Sequence, residues 1–167
     1  MPVPVWVPGQ ILGAGDVNAW MVPLTAYKLN FTQRNTTTTQ AADPDLVLTF
    51  PQLGIWIVES FIRYRGNSGN NLSWGWQTSA ASISGSVAAM YNTTGTVKQL
   101  TYAPWTDTTG LAQTTGTSAP NEQTIRFNGT VVVGTGGSLA FAWAQGASNA
   151  TNMTVDAGSY LMAWRAN

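Results

Sequence analysis

Carboxylates are the main candidates for chemistry in this sequence. The chain has no histidine and no cysteine. This excludes nucleophilic catalysis by either side chain and a Ser-His-Asp triad. It also excludes disulfides and metal sites built from thiolate or imidazole ligands. Glycoside hydrolysis needs only two carboxyl groups, an acid and a base or nucleophile. The seven carboxylates are Asp16, Asp43, Asp45, Glu59, Asp107, Glu122 and Asp156.

Glu59 is the carboxylate best placed to line a cleft, because it lies in the middle of a predicted strand. A small glycosidase or depolymerase that used it would lose activity in the Glu59→Gln variant. We favour the alternative that Glu59 lies on a sheet surface and pairs with Arg63, Arg126 or another neighbour.

Three short segments could bind ions or nucleotides. Asp43-Pro44-Asp45 brings two carboxylates together, as in a calcium site, but it lacks the further acidic positions of an EF-hand loop. We therefore favour an Asx or proline turn there. The segments Gly13-Ala14-Gly15 and Gly134-Thr135-Gly136-Gly137 lack the context of nucleotide-binding motifs and are predicted to be turns. No metal or other cofactor is expected.

Composition narrows the classes of function. A chain of 167 residues is long enough for one domain with a sizeable core. Charged residues make up 8% of it, seven of each sign, against about 25% in ordinary soluble domains. Nucleic-acid binding requires clustered Lys and Arg, so we expect no nucleic-acid partner. Neither a secretory signal nor a membrane span is recognisable, and we expect synthesis in a cytoplasm.

Short strands would position the candidate carboxylates and the turn segments between them. Apolar and polar residues alternate, and turn residues separate the alternating segments. The predicted strands cover 26–32, 46–50, 54–65, 72–78, 86–91, 96–102, 123–133, 139–143, 150–155 and 159–165. The strand 54–65 begins apolar on both faces, which is typical of a central strand. Gly129 is predicted to be a bulge, and 106–121 is predicted to be a loop.

This pattern predicts an all-β fold, an antiparallel β-sandwich of the jelly-roll type. An irregular N-terminal arm, residues 1–24, would precede a single domain, residues 25–167. The arm has room for at most one short helix, which would begin at Asp16 and end before Pro23. It either folds back on its own domain or docks on a neighbouring protein. The candidate docking residues are Trp6, Ile11, Leu12, Trp20 and Met21.

Eight tryptophans are the strongest positive feature of the sequence. Aromatic side chains could fill the core, bury in a subunit interface, or stack on sugar rings as in carbohydrate-binding modules. The candidates for an interface or a glycan platform are Trp74, Trp76, Tyr91, Tyr102 and Trp105.

The arm carries a resemblance to a family. From Trp6 to Trp20 the chain reads WVPGQILGAGDVNAW and continues to Pro23. This resembles the opening of many virion proteins of tailed phages, especially those of actinobacteria, in which a Gly-Gln-x-Leu-x-Ala-x-x-x-Asn-type arm precedes a small β-sandwich. The C-terminal segment 157–165, AGSYLMAWR, is similar to the last strand of such domains. The resemblance implies a capsid decoration, head fibre or minor tail protein, commonly trimeric, and brings no catalytic residues.

Together these features predict a non-enzymatic phage virion protein. Our leading hypothesis is a capsid decoration protein whose arm docks on the major capsid protein or another virion protein. The β domain would form a homo-oligomer, with three copies expected, and no membrane partner is expected. The alternative is a minor tail or fibre protein whose β-sandwich binds a host glycan or receptor. The absence of a fibre-shaft repeat favours the head.

Overall fold

The computed structural model describes residues 13, 22–66, 71–93, 96–101, 113–115 and 122–166, and between residues 80 and 115 it describes the backbone alone. The strands are β1 (Leu24–Tyr27), β2 (Thr32–Arg34), β3 (Ala41–Phe50), β4 (Gly54–Arg65), β5 (Leu72–Thr93), β6 (Thr96–Thr101), β7 (Gln113–Thr115), β8 (Gln123–Gln145), β9 (Met153–Val155) and β10 (Tyr160–Arg165). No helix occurs in this part of the chain, and the all-β prediction is confirmed.

The strands form two packed antiparallel sheets, which confirms the predicted β-sandwich. One path of neighbours runs β1-β10-β4-β8-β5-β6. Along β8, residues 123–133 pair with β4, whereas residues 137–143 pair with β3. β5 pairs with β8 along both of these segments of β8. The two long strands, β5 and β8, therefore belong to both sheets.

The two long strands correct the sequence prediction at three places. Residues 134–137 were expected to form a turn, but β8 continues through them, and β5 likewise continues where a break between 78 and 86 was predicted. The register of the pair shifts between Ser79 and Ala81, at the level where β8 changes partner from β4 to β3. The glycines therefore accompany an irregularity in two paired strands rather than a chain reversal. Gly129 is not a bulge, because it pairs in register with Val58 and Gly85.

Alternation along β4 builds the core. Trp56, Val58, Ile62 and Tyr64 are buried, and the residues between them point to the other face. The predicted strand 54–65 coincides with β4, and the strand is central, lying between β10 and β8.

Aromatic rings occupy the middle of the core. The ring of Trp76 lies 5.0 Å from Phe127 and 5.7 Å from Phe141, and Trp74 stacks on Phe141 at 6.0 Å between centroids. Such contacts contribute about 0.5–1.5 kcal/mol each beyond the burial of apolar area. Because these residues come from β5 and β8, the long strand pair supplies much of the core.

A tight turn between β9 and β10 joins three strands. Gly158 has φ +84°, a conformation that side chains with a Cβ disfavour. Its backbone N–H donates to the carbonyl of Lys28, and the Lys28 N–H donates to the Ser159 carbonyl, both at 2.9 Å. Arg63 of β4 donates to the carbonyl of Ala157 at 2.9 Å.

We expect Gly158→Ala to lower the free energy of unfolding by about 1–2 kcal/mol. A Cβ at this position would lie 2.8 Å from Arg63 Nη1, so the positive φ and the displaced guanidinium both disfavour the substitution. The matched control is Gly134→Ala, where a Cβ meets nothing within 4 Å. Urea unfolding of both variants tests this, and equal stabilities would contradict it.

Candidate functional site

The Asp43-Pro44-Asp45 segment surrounds the ammonium group of Lys28. Lys28 Nζ lies 2.7 Å from Asp43 Oδ1 and 2.9 Å from Asp45 Oδ2, and it donates to Thr32 Oγ1 at 2.6 Å. The other oxygen of Asp43, Oδ2, accepts from Trp143 Nε1 at 3.0 Å. Lys28 and Asp43 are both fully buried, so this network joins the end of β1 to β3 and β8 inside the protein.

This arrangement decides between the two interpretations of Asp43 and Asp45. The backbone N–H of Asp45 donates to Asp43 Oδ1 at 3.1 Å, which is the Asx turn that the sequence favoured. The turn lies within β3, where the register with β8 shifts between Ala42 and Val47. The Lys28 ammonium occupies the space between the carboxylates, and the described residues hold no cluster of three or more metal-ligating side chains.

Arg34 fixes β2 beside the same network. Its guanidinium carbon lies 4.3 Å from the centre of the Trp143 ring. The guanidinium donates to the carbonyls of Ala41, Ala42 and Trp143. Burial lowers the pKa of Arg34 and the charge of Asp43 opposes that shift. The cation is therefore used to hold backbone carbonyls and an aromatic ring together.

A second cluster of charges lines an open cleft of about 270 Å³. Arg63 binds Glu122 through two hydrogen bonds of 2.6 Å, and Arg65 pairs with Asp156 at 3.1 Å. Phe31, which is 58% exposed, lies at the same cleft.

The two carboxyl groups of the cleft have opposite pKa shifts. The hydrogen bonds from Arg63 lower the pKa of Glu122, whereas burial raises the pKa of Asp156 in spite of the neighbouring Arg65. A pair of carboxyl groups with divergent pKa values is what acid–base hydrolysis requires. Both groups are held in ion pairs here, and Asp156 Oδ2 is buried without a hydrogen-bond partner. The clearest role of the cluster is to join β4 to the residues before β8 and after β9.

Glu59, the carboxylate that the sequence singled out, lies on an exposed sheet surface as expected. The predicted ion pair is not formed. Arg63 binds Glu122, Arg126 lies over the ring of Phe61 at 4.9 Å, and no ion pair joins Glu59 to a described residue. The partner of Arg63 is 59 positions away along the chain, so local sequence patterns contain no signal for this contact.

Two of the candidate interface or glycan aromatics lie in the core. Trp74 and Trp76 are 0% and 1% exposed, which agrees with the alternative that aromatic residues supply core bulk. Neither ring is accessible to a sugar in this structure. The remaining candidates, Tyr102, Trp105 and the side chain of Tyr91, lie outside what the structure describes, as do the docking residues Trp6, Ile11, Leu12, Trp20 and Met21.

An exposed apolar surface is the feature that sequence reasoning missed. We call it the outer face, and it consists of the side chains of β10, β4 and β8 that point away from the core. Its apolar members are Ile55, Ile57, Phe61, Val132, Tyr160, Met162 and Trp164. Ile57 and Val132 are each 46% exposed. The apolar start of both faces of β4 was a signal for this surface, although it was interpreted as the mark of a central strand.

Comparisons with known proteins do not assign the chain to a family. No protein-family model matches it, and no curated protein matches it. Among solved structures it is similar to a chain of infectious bursal disease virus, Gx strain, with 10% identity and a TM-score of 0.24. The match covers 98% of this chain and 43% of that chain. A TM-score this low does not establish a shared fold.

Among the described residues, no helix is long and apolar enough to cross a membrane.

We expect Lys28→Met to lower the free energy of unfolding by about 3–5 kcal/mol, because it leaves the Asp43 carboxylate buried without its cation. Adding Asp43→Asn removes that charge and keeps an oxygen for Trp143. The double variant should therefore lose less than the sum of the two single variants, by about 1 kcal/mol or more. Denaturant unfolding of the four proteins measures this coupling, and additive losses would contradict it.

We expect Asp156→Asn to raise the unfolding temperature at pH 7, because the amide removes a buried charge and keeps an oxygen for Arg65. The pKa of Asp156 in the folded protein lies above its ordinary value of 3.8, so the folded state binds the proton more readily than the unfolded chain. Its destabilising effect is therefore present at neutral pH, declines as the pH falls through the raised pKa, and disappears below 3.8.

Thermal unfolding from pH 3 to pH 7 tests this expectation. The melting curves of Asp156→Asn and the parent should converge at acid pH. Glu122→Gln is the contrasting control: the pKa of Glu122 is lowered by Arg63, so its charge stabilises the folded state at neutral pH and its removal should lower the unfolding temperature at pH 7. An Asp156→Asn variant with an unchanged or lower unfolding temperature at pH 7 would contradict the assignment.

Proposed function

We propose that this protein is a non-enzymatic structural protein of a tailed-phage virion and that it decorates the capsid. Its N-terminal arm docks on the major capsid protein or another virion protein. Its β domain forms a homo-oligomer, expected to contain three copies. The protein is made in the host cytoplasm and ends in the virion.

The observation that carries this proposal is that most of the described charged side chains bind groups within the domain. Three sets of ion pairs, around Lys28, Arg63 and Arg65, join strands within the domain. Arg34 and Arg165 bind backbone carbonyls. The charged side chains of a charge-poor chain are thus used mainly to hold the sandwich together, and the apolar members of the outer face are left for contact with other protein. This arrangement suits a protein built for assembly.

The start of the domain supports the role of the arm. β1 begins at Leu24, one residue before the expected domain boundary, and it is the end strand of its sheet path. The described domain therefore begins at a sheet edge, which is compatible with the proposed contact between the preceding arm and a neighbouring protein. The sequence of these residues carries the resemblance to phage virion proteins.

Deleting residues 1–21 is expected to abolish incorporation into virions while the β domain still folds, because β1 and all its pairing residues remain. Immunogold labelling and western blots of purified particles measure incorporation. Near-ultraviolet circular dichroism, which reports the buried tryptophans, measures folding. The double variant Trp6→Ala, Trp20→Ala in the full chain is the milder test of the same segment.

A matched control is Thr25→Ser, an exposed change within β1, which should leave incorporation unchanged. Full incorporation of the folded, truncated protein would show that the arm is not the anchor. Absence of the complete protein from purified virions would overturn the proposed function itself.

The alternative, a glycan-binding tail or fibre protein, has fewer candidate residues in the structure than in the sequence. Trp74 and Trp76 are buried, so Tyr91, Tyr102 and Trp105 remain of the aromatic residues that the sequence suggested for a platform. Loss of binding to host polysaccharide on Trp105→Ala would favour it over decoration.

A further inference from the structure

Half of the outward positions of the outer face are apolar, whereas the solvent side of an ordinary antiparallel sheet is mainly polar. Its exposed side chains stand next to one another across strands. Ile55 pairs with Val132 between β4 and β8, and Ile57 pairs with Trp164 between β4 and β10. Isolated exposed hydrophobic residues are common, but a continuous apolar patch marks a contact surface.

The extent of the outer face suits a stable protein–protein contact. β4 has 12 residues and β8 pairs along most of its length, with β10 and β1 on the other side. At about 3.4 Å per residue and 4.8 Å between strands, β4, β8 and β10 present on the order of 500 Å² in projection, and apolar side chains occupy about half of their outward positions. Side-chain relief brings the accessible area toward the roughly 800 Å² that each partner contributes to a standard interface.

The charges on the outer face favour a second copy of this chain as its partner. Glu59 and Arg126 both point outward on it. They have opposite signs, and neither forms an ion pair with a described residue. A second copy presents the same two charges, so each carboxylate can meet a guanidinium. A strongly acidic or basic partner would place a like charge against one of them. The shape of the outer face also suits a second copy, because one sheet face packs well against another at a distance of about 10 Å.

We propose that the outer face is the surface through which one copy of this protein binds another. This inference rests on the proposed homo-oligomer and adds one contact to it, in which the same face of two copies meets, so it joins copies in pairs beside any three-fold contact. Within this surface Ile55 and Val132 lie at one end, Phe61 and Tyr160 lie at the other, and Glu59 lies between them beside Met162. The contact is mainly apolar, so it persists at high salt.

Sedimentation equilibrium of the full-length protein tests this proposal. The parent protein should associate at micromolar concentration in both low and high salt. Ile57→Asp should weaken association about tenfold or more, because it buries an unpaired charge in an apolar contact. Val132→Asp, on the neighbouring strand, should do the same. The matched control is Val47→Asp on β3, which is 37% exposed and lies outside the outer face.

The outcomes separate this inference from the proposed function. A monomeric parent protein at high concentration, or association unchanged in both folded outer-face variants, overturns the inference. If the parent is monomeric and Ile57→Asp is also lost from virions, the outer face binds a different virion protein. If the parent associates through this face but is absent from virions, the inference stands and the virion role fails.

Discussion

The ammonium group of Lys28 is fully buried in this sandwich, and a buried charge has to be neutralised by the protein itself because water cannot reach it. Asp43 supplies the opposite charge from β3 and is in turn bonded to Trp143 of β8. Lys28 also holds the β9–β10 turn through its backbone. The network is satisfied when β1, β3, β8 and this turn come together, so it favours one arrangement of the two sheets over slipped alternatives.

The use of charged side chains to join strands also bears on the apolar content of the outer face. With 8% charged residues, the chain has few charges, and most of those described join strands. The outward side of β4 carries Ile55, Ile57 and Phe61 together with Glu59, Arg63 and Arg65, and the neighbouring strands add Val132 and Trp164. In water this surface is a liability, and in an assembly it is a contact. Under the proposed role in assembly, the apolar outer face and the scarcity of catalytic side chains have one physical explanation.

Sequence patterns predicted those parts of the fold whose causes are local. Alternation specified β4 from Gly54 to Arg65, and the spacing of Asp43 and Asp45 specified an Asx turn. The continuity of β5 and β8 was missed because glycine and serine usually interrupt strands, whereas here cross-strand pairing carries the strands through. The alternation of Leu72, Trp74 and Trp76 with small or polar residues favoured a core position for the two rings, and both are buried. The Arg63–Glu122 pair depends on strand order, which no local pattern contains. The outer face was missed because alternation shows that both sides of a strand are apolar but does not show which side remains uncovered.

The central claim is that this sandwich is an assembly module of a virion that contacts its neighbours through an apolar sheet face. Cryo-electron microscopy of particles that contain the protein tests it most directly. We predict density for the β-sandwich on the outside of the capsid, with β10, β4 and β8 packed against another copy of the chain. A sandwich whose outer face is open to solvent while other surfaces make all the contacts would contradict the account.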